Sequence, residues 1–387
     1  MPIFRSRPLL AALVTAGLVC GALIATDRAL GRKLVVHAVA DEAAPVLDGD
    51  TSDAVWQGIA PVTVLTAHGG DFGGTGESRV QVRAVHDSRY LYLAIVWQDP
   101  TPSRADHPLV RHDNHWHLAS AGSVAGAGAA RPGTGPTAGK AGDAPQVDDR
   151  FAIMLAPPGR QLIGAAIHLG RKPLADAPGG ISGRGLHYTG KGTMIDIWQW
   201  RAATAGLSPR VVDSWLGPPQ PVTRAESVHD ARYAGGLELD SASAAVGRAN
   251  FTGGDGPCGT VEPLRLPLLR PTPVSAVAAG ADPGRDARPL PWDMTEPYTE
   301  DAAAGLRDGA VLPGVLVDDD VRPGPDDVTA RAHWDGGYWV LEVRRSLAAG
   351  PHDLPVRDGM MMWFAAFDHA ETRHTYHLRP LVLELGR

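Results

Sequence analysis

Cysteine is almost missing from this chain. Its 387 residues include only Cys20 and Cys258, too few for a disulfide framework. No C-x-x-C-H occurs, which excludes covalent haem attachment of the c type, and no C-x-x-C pair suggests a zinc ribbon or an iron–sulfur cluster. A strong charge of one sign is also lacking. The net charge of -7 is mild and spread out, so nothing favours a nucleic-acid partner. There is no G-x-S-x-G elbow, no H-E-x-x-H and no nucleophile with local support. These absences argue against a hydrolase and for a chain that binds or carries rather than catalyses. Sustained helical periodicity and internal repeats are absent too. With 46 glycines and 33 prolines, much of the chain must be turn and loop.

The long apolar run that is present lies at the N-terminus. Arg5 and Arg7 precede an uncharged stretch from Pro8 to Ala25, followed by Asp27, Arg28, Arg32 and Lys33. Its length of about 18 residues is near the lower limit for a membrane span and long for a signal core. Residues 1–34 are therefore expected to be a signal anchor or signal peptide. An uncleaved anchor is favoured, because Ala38-Val39-Ala40 satisfies an A-x-A cleavage rule but lies far beyond the run. The arginines place the remainder outside the cytoplasm, on the periplasmic side of the inner membrane.

From residue 41 onward short strands alternate with turn signals. A short strand at Val46-Leu47, an Asp-Gly turn at Asp48-Gly49-Asp50 and Trp56 packing back on the core are expected as the sandwich entry. Strands are expected over Val62–Leu65, Arg79–His86, Tyr90–Gln98, 148–155, 162–169, 194–200, 328–334, 338–345, 360–367 and 379–385. Asp87-Ser88 and Asp335-Gly336-Gly337 mark hairpins. His107, His112, His115 and His117, with Trp116, form a histidine-rich stretch read as a solvated loop. Residues 119–146 are Ala/Gly/Thr/Pro low complexity and are expected to be a disordered insertion. Residues 205–328 read as irregular loops, with Trp292 or Tyr298 capping a pocket. The expected fold is all-β: an immunoglobulin-like β-sandwich over 41–387 with long loop insertions.

The richest stretch is Ser182–Arg201. His187 sits between Gly185 and Gly190, and a strand follows in which Met194, Asp196, Trp198 and Trp200 share one face. An imidazole, a thioether and two indoles could build a cofactor pocket; equally, the strand could be core beside a surface histidine.

The segments DGDTSDAVW, VRAVHDSRYLYLAIVWQD, DDRFAIML, GRGLHYT, DIWQWR, WDGGYWVLEVRRSL and FAAFDHAETRHTYHLRPLVLEL resemble the ethylbenzene dehydrogenase-related haem-binding family. Its best-known members are γ subunits of periplasmic molybdenum enzymes, with a sandwich similar to family 9 carbohydrate-binding modules. The resemblance implies one non-covalent haem b and single-electron transfer with a periplasmic or membrane redox partner, such as a molybdenum oxidoreductase or a membrane cytochrome. In the γ subunits a methionine before the W-x-W strand and a lysine in the last loop hold the iron. Here the first position is His187 and the second falls at Arg373 or His374. Arginine stays protonated and is a poor ligand, so the implied pair is His187 and His374, with Met194 and His377 as fallbacks. Trp198 or Trp200 would pack on the macrocycle, and Arg201 or Arg373 would face a propionate. The alternative function is carbohydrate binding, with Trp97, Trp116, Trp198 and Trp200 as platforms for sugar rings.

Overall fold

The computed structural model describes residues 32–119, 146–159, 192–217, 220–221, 233–234, 237–240, 246–253, 260–268, 287–318, 323–324, 327–348, 350, 352–370 and 374–386. Residues 8–25, the strand expected at 162–169, His187, Arg373 and most of the low-complexity insertion lie outside them. No described helix is long and apolar enough to cross a membrane.

The chain is all-β, built on one 13-stranded sheet. Its strands are β1 (Lys33–Ala38), β2 (Val62–Thr66), β3 (Ser78–His86), β4 (Tyr90–Gln98), β7 (Arg150–Ala156), β8 (Ile195–Arg201), β9 (Val212–Leu216), β10 (Leu237–Leu239), β14 (Thr329–Asp335), β15 (Tyr338–Ser346), β16 (Met361–Phe367), β17 (Thr375–Tyr376) and β18 (Leu381–Leu385). A smaller five-stranded sheet contains β5 (Leu109–His112), β6 (His115–Leu118), β11 (Phe251–Gly253), β12 (Thr260–Pro263) and β13 (Val311–Leu312).

Two leaves face one another across a single core. One runs β10-β9-β8-β7-β16-β18 and the other β3-β4-β15-β14, and β1 joins them by pairing in parallel with both β18 and β3. The far ends approach as well, through a bridge between Arg210 and Thr329. The expected sandwich is therefore present, but its leaves are continuous in hydrogen bonding, unlike the two separate antiparallel sheets of an immunoglobulin-like domain. β1 also lies before the domain start expected at residue 41. Cleavage after Ala40 would remove the strand that links the leaves.

Period-2 alternation decides what enters the core. Leu91, Leu93, Ile95 and Trp97 of β4 point inward, as do Phe151, Ile153 and Leu155 of β7, Trp198 and Trp200 of β8, and Trp339, Leu341 and Val343 of β15. Across the leaves Trp97 meets Phe151 at 4.6 Å and Trp200 meets Trp339 edge-on at 4.9 Å. Burying these indoles supplies much of the apolar area that holds the leaves together, about 25 cal/mol per Å2.

The entry segment is not a strand at Val46-Leu47. It crosses the outer face, where Trp56 is buried and its Nε1–H donates to Glu342 Oε1 at 2.8 Å. Gly49, at φ 88°, donates to Glu342 Oε2 at 2.9 Å; a side chain there would meet the backbone of Ala332. Gly336 and Gly337, both at positive φ, form the two-residue turn of the β14–β15 hairpin, as the D-G-G signal implies.

Two loop expectations are corrected. The histidine-rich stretch forms the β5–β6 hairpin, and parts of 205–328 supply its neighbours β11, β12 and β13. Leu109, Trp116, Leu118, Val261, Leu266 and Leu312 give this sheet its own small core, with Tyr298 packed against it. The Arg248 and Arg265 guanidiniums lie over the Trp292 ring, at 5.2 and 4.3 Å.

Candidate functional site

The haem-site expectations divide along β8 and the loop between β16 and β17. Trp198 and Trp200 do share a face, but that face is the interior. Trp198 packs beneath the Arg345 guanidinium at 5.6 Å, and Trp200 lies against Trp97 and Trp339. Met194 is half-buried just ahead of β8. Neither indole offers a face to a macrocycle entering from solvent. Nor do Trp97, Trp116, Trp198 and Trp200 present an open face for a sugar ring, because all four are buried.

Arg201 does not await a propionate. It is ion-paired with Asp106 and lies 3.3 Å from Asp148, and Arg150 bonds the same two carboxylates at 3.1 and 2.8 Å. Asp148 also accepts the Ala203 N–H at 2.9 Å. Burial opposes ionisation of Asp106, but the His107 hydrogen bond and the two guanidiniums outweigh it and hold that carboxyl well below the usual range. The same carboxylates raise the Arg201 pKa against the burial that would lower it.

Two of the three candidate histidine ligands, His374 and His377, are among the described residues. His374 is buried and stacked on Phe367, with ring centroids 4.3 Å apart. It lies just ahead of β17, in the loop where the resemblance sets the second iron ligand. His377 has both nitrogens engaged: Nε2 accepts from the Phe364 N–H at 2.9 Å and Nδ1 donates to the Arg379 carbonyl at 2.6 Å. Burial pushes its pKa down to about 4, so it stays neutral with no lone pair left for iron while those bonds hold. The imidazole at His374 thus fits a haem ligand by chemistry and place, whereas Trp198, Trp200, Arg201 and His377 already serve the fold.

Residue types alone did not reveal two groups of buried carboxylates at opposite ends of β8. Asp196 and Arg201 are five residues apart on that strand, about 16 Å. At the Asp196 end, Asp196, Asp213 and Asp353 converge beside Arg345, which reaches Asp196 at 3.2 Å and Asp353 at 3.0 Å. Burial raises Asp196 to about 7 despite Arg345, and burial with Asp196 as neighbour raises Asp213 to about 9. Near the Arg201 end, Asp149, Asp368 and His369 converge, with Asp99 beside them. The visible signal was Asp148-Asp149 before β7 and Asp368-His369 after β16, acids at strand ends that pair with each other in the sheet.

A family model described as Ethylbenzene dehydrogenase matches residues 53–379. The chain belongs to that family. No curated protein matches it significantly. Among solved structures, it is similar to a carbohydrate-binding module of family 9 from Caldicellulosiruptor kristjanssonii in complex with glucose, at 9% identity and a TM-score of 0.30 over 92% of this chain and 97% of that one. It is also similar to a putative carbohydrate-binding protein from Bacteroides uniformis, at 9% identity and a TM-score of 0.31 over 91% of each chain. Likenesses this slight carry no argument about what this chain binds.

Proposed function

We propose that this member of the ethylbenzene dehydrogenase family is an exported electron-transfer domain that holds one haem b non-covalently. The observation that carries the proposal is family membership across residues 53–379, joined to a buried imidazole, His374, at the second ligand position. His187 is the proposed partner ligand. When bound between two protein ligands, the haem supplies one-electron redox chemistry and leaves no open coordination site.

The chain's own part is to hold and to insulate. Phe367 stacks on His374 and restrains its ring plane. The Trp97–Trp200–Trp339 cluster fills the interior between the two leaves. Two histidines in place of methionine and lysine should set a low potential, because a thioether favours ferrous iron. The proposed role is that of a carrier rather than a catalyst. Its proposed setting is the periplasmic side of the inner membrane, anchored through residues 8–25, with a molybdenum enzyme or a membrane cytochrome as redox partner.

An absorption spectrum of the purified chain tests this. A Soret band that shifts on reduction is expected, with low-spin features lost in both His187→Ala and His374→Ala. Protein that stays colourless after reconstitution with excess haem would overturn the reading.

A further inference from the structure

Outside the proposed haem site, the strongest feature is the carboxylate group where four loops meet. Asp149 lies before β7, Asp368 and His369 after β16, Asp99 after β4, and Phe72 in the loop before β3. Ligand atoms of Asp149, Asp368 and His369 all lie within 4.8 Å of one another, the span allowed to donors about 2.0–2.4 Å from one shared ion. The His369 ring faces both acids, with Nε2 3.0 Å from Asp368 Oδ1 and Nδ1 3.6 Å from Asp149 Oδ1.

Asp99 is the second, independent observation. Its residue is fully buried, and its Oδ2 has no hydrogen-bond partner. Oδ1 accepts from the Thr101 N–H at 3.1 Å, and the Trp339 indole N–H also favours the charged form of this carboxyl. Asp368 is the neighbour whose charge most opposes ionisation of Asp99, and Asp99 the one that most opposes that of Asp149, so Asp99 lies beside this group. Asp71 adds a further negative charge from the β2–β3 loop.

Cationic compensation is sparse. Among the described residues, the cations seen to act on these acids are Arg104 and His369, and Arg104 sits over the Trp339 ring. Each acid is otherwise anchored by N–H donors that fix its direction without cancelling its charge. Ser103 N–H bonds Asp149 Oδ2 at 2.6 Å, Trp339 Nε1–H bonds the same oxygen at 3.2 Å, His369 N–H bonds Asp149 Oδ1 at 3.2 Å, and Phe72 N–H bonds Asp368 Oδ2 at 2.6 Å. Three dry carboxylates held together at neutral pH need either protons or a cation. A shared proton would bridge two of these groups at a time; a cation would bind several at once.

We propose that Asp149, Asp368 and His369, with Asp99 beside them, form a divalent-metal site that ties together the four loops at this end of the sandwich. Carboxylate oxygen with one imidazole favours manganese or zinc over magnesium. His369 is the one partly exposed member and marks the route of entry. The site is independent of the haem reading, since none of its residues is a proposed iron ligand.

The test uses the full chain as purified, stripped with EDTA and titrated with Mn2+ by electron paramagnetic resonance, with Zn2+ and Ca2+ as competitors. One saturable site per chain is expected, with thermal stability rising on loading. Asp368→Asn and Asp99→Asn should weaken Mn2+ binding at least tenfold, and His369→Ala should do so to a smaller degree. The stripped Asp99→Asn protein should melt no lower than the stripped parent, because the amide relieves repulsion; that separates lost ligation from misfolding. Absence of saturable binding of all three ions to folded protein would overturn the proposal, as would full-affinity binding by the Asp99→Asn/Asp368→Asn double variant.

Discussion

Asp148 and Asp149 are neighbours in sequence, equally buried, and in opposite electrostatic situations. Asp148 shares Arg150 and Arg201 with Asp106, so two carboxylates meet two guanidiniums and the charges cancel. Asp149 meets Asp99 and Asp368 and is pushed well above the usual carboxylate range, first by burial and then by Asp99. Consecutive side chains of an extended chain point to opposite sides, and here one side holds arginines from β7 and β8 while the other holds acids from three loops. Burial alone therefore does not tell a structural carboxylate from a ligating one. The sign of what surrounds it does.

Breaking the compensated side should have the largest effect. Arg201→Met leaves Asp106 and Asp148 buried with only Arg150 between them, and should cost about 3 kcal/mol of stability, the lower end for removing one partner of a buried pair. Chemical denaturation of the variant beside the parent measures it. A loss under about 0.5 kcal/mol, the scale of an ordinary surface change, would show that the pair is not dry.

A pH series sharpens the contrast at the uncompensated groups. Asp196 titrates at about 7 and Asp213 at about 9 in the folded chain, against 3.8 for an unperturbed Asp. The folded state then holds protons that the unfolded state has already released, and stability falls as pH rises through that window. The contribution is complete below about pH 4 and is lost through pH 7 for Asp196 and pH 9 for Asp213. Melting temperatures in EDTA should decline from pH 5 to pH 8, and Asp213→Asn should flatten the decline. Asp106, held low, acts oppositely and loses its contribution only in strong acid. A melting temperature that rises from pH 5 to pH 8 would contradict the assignment.

The smallest effect is expected between Ala119 and Gln146, which meet at one point of the fold. Gln146 N–H donates to the Ala119 carbonyl at 2.9 Å, and both residues are buried. Replacing residues 120–145 with a short glycine–serine turn should shift the melting temperature by only a few degrees, because closing a loop depends weakly on its length. Removing Ala119 and Gln146 as well should cost more. A large loss from the shorter deletion would show that the insertion packs on the fold.

Alternation and turn chemistry made much of the fold legible in advance. The inward face of Trp198 and Trp200, the doubly apolar β4 and the Gly336-Gly337 hairpin follow from local residue order, since a strand's period and a turn's φ are properties of a few adjacent residues. Local order could not show that β1 belongs to the sheet, because its pairing partners lie near residues 84 and 383. It suggested indoles available to a ligand, where the opposing leaf supplies Trp97 and Trp339 to cover them. The sequence by itself determined which side of each strand is apolar and where the acids stand. Which acids meet arginine and which meet each other was decided by tertiary structure alone, because Coulomb partners are chosen by proximity in space and these come from loops as much as 297 residues apart, as Asp71 and Asp368 do.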